Sequence, residues 1–362
     1  MSHAHAIRLK PILATALFTA GVMQAHAAGY LVTDMGRTSL PPTSPCSGCT
    51  QTNEFRAVGL SDTGIVLGQK YTIVIYRYGG NSSPPLPVAI DAATQQNVPI
   101  AFPSSTAFSL AINQNNQVAL SDGNGTSYVA DLVGNRILPA PPGYAKNSVK
   151  AINASGQTSG SAWNTSLTEE QGYIAAADGS SFKVLGLNVR PKAMNAKGQV
   201  AGTTNSSTGS GVAFKTNFAG MVVKLGKLWG DQSSEATGIN DSGVVVGYST
   251  SSEGVSRACV TNVLGLLVNL NNRAPSGYTA NQAVGINNAG TVIGNGQTST
   301  GHDAPFVYAS GKLSLLSADS SLGAAGWTMA VVRAINNKGQ ITGEAIYNPD
   351  GYRHIVVLTP QP

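Results

Sequence analysis

The sequence predicts an all-β fold, a single seven-bladed β-propeller with four-stranded blades, and three observations carry that reading. One ten-residue pattern recurs seven times, glycine is abundant while charge is sparse, and the first strand-like segment is the strand that the last repeat lacks. Glycine contributes 42 of 362 residues and charged residues only 11%. That balance suits many short strands joined by turns rather than helices with charged faces.

The recurring pattern is a small residue, an aliphatic one, Asn, two variable residues, Gly, then a short apolar strand usually closed by another Gly. Its copies read GLSDTGIVLG from residue 59, AINQNNQVAL from 111, AINASGQTSG from 151, AMNAKGQVAG from 193, GINDSGVVVG from 238, GINNAGTVIG from 285 and AINNKGQITG from 334. The third positions are Ser61, Asn113, Asn153, Asn195, Asn240, Asn287 and Asn336, spaced by 40 to 52 residues, the period of a four-stranded propeller blade.

Each recurring residue has a conformational reason to recur. Asn, or Ser in the first copy, closes an Asx-type turn, and Gly three residues on supplies the left-handed position of a bulged hairpin. In the second copy that Gly is replaced by Asn116, the residue other than glycine that best tolerates left-handed backbone. The residue before the aliphatic position is always Gly or Ala, as innermost strands crowded round an axis require. These reasons make the Asn a turn-former rather than a metal ligand.

After each hairpin come a variable loop and two further strand-like runs, clearest at 127–138, 172–185, 211–225, 257–270 and 305–316. Each is broken by a turn such as Ala177-Asp178-Gly179 or Ser310-Gly311-Lys312, so every repeat supplies two hairpins and four strands. The seventh repeat supplies only a third strand, at 352–358, while residues 28–36 read like the final strand of the other blades. Pairing these segments closes the ring and removes the edges that an open array would expose.

This unit resembles that of the bacterial extracellular HAF-repeat family, which pairs an A-x-x-I-N-x-x-G-x-V-x-G hairpin with a His-Ala-Phe strand. The hairpin half is well matched, and the second half is approximated by Val212-Ala213-Phe214 and by His302-Asp303-Ala304-Pro305-Phe306. The resemblance covers nearly the whole chain beyond residue 27. It implies export and a propeller-like fold, and it implies no settled activity and no catalytic residues.

Residues 1–27 have the layout of a secretory signal: basic Arg8 and Lys10, an apolar run over 11–22, and Ala25-His26-Ala27 as a cleavage site. The expectation is a secreted or periplasmic protein whose mature chain, 28–362, forms one domain. No later stretch offers about 18 consecutive apolar residues, so no transmembrane segment is expected after cleavage, and a monomer is the expected state. The formal charge of +5 falls to about +3 without Arg8 and Lys10, and the remaining Lys and Arg are scattered singly. A nucleic-acid partner would need a clustered basic patch. Cys46 and Cys49 form a C-x-x-C in a Pro/Ser-rich stretch; in an oxidising compartment, and without βαβ context, a local disulfide is expected. Cys259, between Ala258 and Val260, reads as a buried free thiol.

Propeller geometry sorts the connections by face. The Asn-x-x-Gly turns lie on a tight face, whereas second-to-third loops and blade-to-blade connections gather on the opposite, long-loop face, where scaffolded folds tend to carry binding residues. Trp163, Trp229 and Trp327 fall in long-loop positions, as do ten of the seventeen acids: Glu54, Asp91, Glu169, Glu170, Asp231, Glu235, Glu253, Asp303, Asp319 and Asp350. Aromatic platforms beside carboxylates suit a glycan, and carboxylates near a channel suit Ca²⁺. Equally, the tryptophans can plug blade junctions while the acids keep a rim solvated. The candidate ligand-binding set is Trp163, Trp229, Trp327, Asp231, Glu235, His302 and Asp303.

Signals for catalysis are thin. His302 and His354 are the only histidines after residue 27, neither in H-E-x-x-H spacing, and there is no G-x-S-x-G elbow or phosphate-binding loop. His302 beside Asp303 could join a triad assembled in space, and Glu169, Glu170, Asp231 or Glu235 could supply paired acids. No obligatory cofactor is expected. The leading reading is an exported scaffold that binds a polysaccharide or surface protein without turnover. The alternatives are a carbohydrate-active hydrolase or lyase with channel carboxylates, and a structural envelope or matrix component.

Overall fold

The computed structural model describes residues 29–39, 49–76, 79–103, 109–205 and 210–362. The expected signal segment and Cys46 lie outside the described residues. The chain forms seven four-stranded antiparallel sheets around one axis. β1 (Tyr30–Arg37) comes first and joins the last blade. Blade 1 holds β2 (Cys49–Leu60), β3 (Ile65–Tyr76), β4 (Gly79–Ser82) and β5 (Leu86–Asp91), and blade 2 holds β6 (Ser109–Ile112), β7 (Val118–Ser121), β8 (Ser127–Ala130) and β9 (Asn135–Leu138). Blade 3 holds β10 (Lys146–Ile152), β11 (Thr158–Trp163), β12 (Glu170–Ala175) and β13 (Phe182–Leu187), and blade 4 holds β14 (Val189–Met194), β15 (Val200–Asn205), β16 (Gly211–Thr216) and β17 (Val222–Gly226). Blade 5 holds β18 (Ser233–Ile239), β19 (Val245–Thr250), β20 (Ser256–Thr261) and β21 (Leu267–Asn269). Blade 6 holds β22 (Tyr278–Ile286), β23 (Val292–Thr298), β24 (Phe306–Ala309) and β25 (Lys312–Leu315), and blade 7 holds β26 (Trp327–Ile335), β27 (Ile341–Tyr347) and β28 (Tyr352–Pro360).

The ring closes as the sequence predicts. β1 pairs antiparallel with β28, Tyr30 opposite Pro360 and Val32 opposite Leu358, and supplies the fourth strand of blade 7. The innermost strands β2, β6, β10, β14, β18, β22 and β26 each touch the next, and β26 touches β2. Apolar cores sit between blades: Phe55, Ala57 and Val66 of blade 1 pack with Ile355 and Val357 of blade 7, and Ile293 and Val307 of blade 6 pack with Met329, Val332 and Val356 of blade 7. Among the described residues no helix is long and apolar enough to cross a membrane.

The small, closing-glycine and turn positions of the repeat each find a physical cause in these contacts. The turn glycines Gly64, Gly156, Gly198, Gly243, Gly290 and Gly339 have φ between +74° and +91°, and Asn116 in the second copy has φ +61°. The small residue before the aliphatic position makes room for the next blade. A methyl group added at Gly59 would lie 3.0 Å from Cγ2 of Ile112, and one at Gly285 would lie 3.3 Å from Cγ2 of Ile335.

The closing glycine answers to a bulge. In six blades the innermost strand carries an extra residue at the same place, namely Val58, Lys150, Lys192, Thr237, Val284 or Arg333, and in blades 6 and 7 a second one, Asn281 or Ala330. A bulge drives the local backbone out of plane, and a Cβ at Gly160, Gly202, Gly247, Gly294 or Gly343 would collide with the carbonyl oxygen of Ser148, Arg190, Glu235, Gln282 or Val331. Blade 2 pairs β6 with β7 without a register shift, and there Leu120 replaces the glycine and is fully buried.

Blade 1 departs in another way. Its twelve-residue β3 pairs with β5 along its first half and with β4 along its second. β5 therefore takes the third place, and the bridge from Ile90 to Asn97 marks the fourth. In consequence Asp91, expected among the long loops, lies opposite Ile65 beside the first tight turn. Its carboxylate accepts the N–H groups of Ala93 and Thr94.

Candidate functional site

The axis has two mouths, and they are built differently. At the tight face the recurring Asn side chains form a belt. Asn113 Nδ2 donates to the Asn153 carbonyl (2.9 Å), Asn153 to that of Asn195 (3.3 Å), Asn195 to Asn240 (2.9 Å), Asn240 to Asn287 (3.2 Å), Asn287 to Asn336 (3.3 Å) and Asn336 to Ser61 (2.9 Å). The Oδ1 of each Asn closes its own turn, as when Asn195 accepts from the N–H groups of Lys197 and Gln199. Ser61 is too short to extend the belt. Its hydroxyl meets that of Thr63, which donates to Asn116 Oδ1 at 2.8 Å. Ser61 and Asn116, exceptions to the repeat, are thus linked through Thr63, which completes the circle.

A second set of contacts links the same turns from blade to blade. The N–H groups of Ala196, Asp241, Asn288 and Asn337 donate to the side chains of Asp241, Asn288, Asn337 and Asp62 respectively. Together with Leu60, Ile112, Ile152, Met194, Ile239, Ile286 and Ile335 these residues enclose an axial cavity of about 200 Å³. Both carboxylates there, Asp62 and Asp241, are engaged in blade-to-blade hydrogen bonds on both oxygens. Among the described residues no group of three or more His, Cys, Asp or Glu side chains could hold a metal ion.

The long-loop mouth carries side chains that differ from blade to blade. Trp163 ends β11, opposite Lys146 on β10 and Glu170 on β12. It lines an open pocket of about 330 Å³ with Asp122, Asn124, Lys146, Asn147, Ser148 and Leu167. The pocket wall is fixed by buried polar groups: Asp122 accepts the N–H groups of Asn124 and Thr126, and Asn147 donates to the carbonyls of Leu138 and Pro139.

Along β10 the less buried positions are Lys146, Ser148 and Lys150, and along β14 the exposed ones are Arg190 and Lys192. Arg190 pairs with Glu170 (2.6 Å) and Lys192 with Glu235 of blade 5 (2.9 Å). Burial pushes the Lys150 amine below its ordinary value, the charge of Lys192 pushes it further the same way, and Glu170 pulls against both. Burial, then Glu235, raises the Tyr248 hydroxyl to about 12. Across the ring Glu344 is held by Arg333 (2.8 Å) and Arg353 (3.5 Å), and Glu54 by Arg56 (3.2 Å).

The sequence-predicted residues do not converge on one spot. Trp163 and Glu235 belong to the sector just described. Trp229 stands wholly exposed in the connection to blade 5. Trp327 is buried in blade 7, its ring 4.6 Å from Tyr347 and edge-on to His354. Asp231 is buried against Arg257. In blade 6 His302 Nδ1 contacts Thr300 Oγ1 at 2.8 Å, and Asp303 accepts from Gln297. Cys259 is free and buried, its thiol raised to about 12 by burial and by Asp231, a value that leaves it unreactive.

Two constellations escaped sequence reasoning. Lys150, Lys192 and Arg333 all stand three residues before the repeat Asn, just outside the conserved-looking ten. The buried His354 lies between Asp34, 2.9 Å from Nδ1, and Asp350, 3.1 Å from Nε2, with Arg37 also on Asp350. Registering the closing strand against the last one would have found it, because Arg37 falls opposite His354.

No family model and no curated protein matches the chain. Solved structures do match it. An oligogalacturonate lyase in complex with manganese shares 12% identity at TM-score 0.54, covering 90% of this chain and 98% of its own. A puromycin hydrolase shares 12% at TM-score 0.51, covering 84% of this chain and 51% of its own. The β-propeller domain of the Trilobed protease from Pyrococcus furiosus shares 8% at TM-score 0.47, covering 90% and 94%. What is shared is the propeller. The chain spans nearly the whole length of the lyase but only about half that of the puromycin hydrolase, and 56% of a puromycin-hydrolyzing peptidase from Mycobacterium tuberculosis.

Proposed function

We propose that the chain is an exported propeller that binds an extracellular polysaccharide at its long-loop face without turning it over. The observation that carries this reading is the pocket of about 330 Å³ in which Trp163 stands beside Lys146, Asn124 and Ser148. An amphipathic ring flanked by a few fixed polar groups is the arrangement that receives a sugar face while hydrogen-bonding its hydroxyls. Export is supported by the layout of residues 1–27.

The carboxylates favour binding over hydrolysis. Glu170, Glu235, Glu344 and Glu54 are each ion-paired to an Arg or Lys, whereas glycoside hydrolysis uses two carboxyl groups facing one bond, one of them poised to give up a proton. The test is a glycan array followed by calorimetry on the full chain, with Trp163→Ala beside it and an assay for new reducing or unsaturated ends. Saccharide binding that Trp163→Ala abolishes, without new ends, is expected. Chain cleavage would replace this reading with the hydrolase or lyase one, and binding indifferent to Trp163 would remove the site.

A further inference from the structure

The rim of the tight-face cavity is linked in four blades and open in the others. Each turn there presents the N–H group of the residue after its Asn, or after Ser61 in the first copy. In blades 4 to 7 that group donates to the side chain of the same residue in the next blade: Ala196 to Asp241 (2.8 Å), Asp241 to Asn288 (2.9 Å), Asn288 to Asn337 (3.0 Å) and Asn337 to Asp62 (2.8 Å). By the repeat, the N–H of Gln114 aims at the side chain of Ala154 and the N–H of Ala154 at that of Ala196, and a methyl group cannot accept. Among the described residues these two N–H groups have no partner. The turn itself does not ask for alanine, because the other five blades carry Asp, Asn or Gln at this position. Gln114, Ala154 and Ala196 all line the same cavity, so the two donors open onto it.

The chemistry of a ligand follows from the walls. The cavity, of about 200 Å³, is smaller than the roughly 300 Å³ at which drug-sized pockets begin, so it takes one compact group rather than a length of chain. One aliphatic side chain from every blade, Leu60 round to Ile335, lines it. Asp62 and Asp241 are the charged side chains among the described residues that line it, and both are bonded to amide groups with no cation beside them. An anion is therefore repelled, while the second lone pair of each carboxylate oxygen accepts from a neutral donor. A ligand must then join an acceptor, a donor and an apolar end within one small neutral group, and a secondary acetamide does so. Its carbonyl oxygen would accept from Ala154 over the methyl of Ala196, its N–H would donate to Asp241 in the next blade, and its methyl would rest on the aliphatic ring. Gln114, Asn288 and Asn337 around the rim offer amides to hydroxyl groups beyond it. We infer that the tight-face mouth binds the acetamido group of an N-acetylated hexosamine.

The site is separate from the one proposed above, since none of these residues lines the Trp163 pocket. The test supplies the missing acceptors from the chain itself. Binding of N-acetylglucosamine, glucose and Nε-acetyl-lysine is followed by ligand-observed NMR titration for the full chain, for Ala154→Asn/Ala196→Asn, and for Ser310→Asn. Ser310 is an exposed turn residue of blade 6 whose φ of +51° suits Asn, so that variant controls for an added amide. N-acetylglucosamine is expected to bind about ten-fold more tightly than glucose and to lose about ten-fold in the double variant, as for a lost hydrogen bond of ordinary worth, and nothing in the control. The double variant should melt no lower than the parent, because its new side chains take up the two free N–H groups. Should it melt early, Ala196→Asn alone, at an exposed position, carries the same expectation. Equal binding of glucose, or binding that survives the added asparagines in a folded variant, would overturn the site. Nε-acetyl-lysine binding as tightly as the sugar would overturn the hexosamine assignment.

Discussion

On the tight face, the same atom does the same work six times: an Asn Nδ2 reaches the carbonyl of the next blade's Asn, from Asn113 round to Asn336 and Ser61. On the long-loop side, five residues before that Asn, six blades present Arg56, Ser148, Arg190, Glu235, Gln282 and Val331. The contrast separates two kinds of constraint. Where every blade must meet its neighbour in one geometry, the residue type recurs; where blades face a ligand or solvent, each side chain is free to differ. The comparison can be broken by substitutions that ought to respect it.

The largest effect is expected inside the long-loop face itself. Trp327 is buried against Tyr347, His354 and Met329, so Trp327→Ala should cost about 3–5 kcal/mol in urea unfolding. Trp229 is exposed, and Trp229→Ala should stay within about 0.5 kcal/mol. Similar losses at both would mean that the face is uniformly structural.

Next in size is the closing glycine. A methyl group at Gly247 would strike the Glu235 carbonyl oxygen and lie 2.9 Å from Ala236 Cα, backbone atoms that cannot swing aside. Gly247→Ala should therefore destabilise by about 2–3 kcal/mol. Smaller again is the belt. Asn195→Ala removes the acceptor for Lys197, which is part-buried, and for Gln199, and the donor to Asn240, both buried, for about 2 kcal/mol. Thr63→Val, which severs the substitute link to Asn116 on a more exposed hydroxyl, should cost about 1 kcal/mol or less. A Thr63→Val loss matching that of Asn195→Ala would show that the seventh link is as strong as the other six.

How much was legible follows the same division. The blade count, the closing strand and the Asn-turn chemistry were readable, because each depends on local backbone geometry that a repeat displays. The belt was not, because Nδ2 points out of its own turn and a single repeat contains no partner for it. Asp91 was misplaced because nothing in the residues 65–76 announces that one strand will serve two partners. Trp327 and Trp229 occupy equivalent connections in sequence, and only packing against His354 and Tyr347 tells them apart. The lysines at the bulges were missed because the repeat was read from the small residue onward, one position too late.

The smallest expected effect has the opposite sign, and it is the sharpest test of the contrast. Every tight-face substitution above costs stability; Lys150→Met should gain a little, under about 1 kcal/mol, because it removes a charge that burial and Lys192 disfavour while keeping the length of the stem. The folded-state amine titrates below its ordinary value of 10.5, so the penalty on the charged form is complete below the lowered value. It shrinks as pH rises through the window between the two values, and it vanishes above 10.5, where both folded and unfolded chains hold a neutral amine. The gain from Lys150→Met in urea midpoint should accordingly be present at pH 7 and absent near pH 11. A loss at pH 7 would place Lys150 with the structural residues of the tight face, its ammonium serving the fold. A gain at pH 7 would mean that the chain keeps this lysine against its own stability.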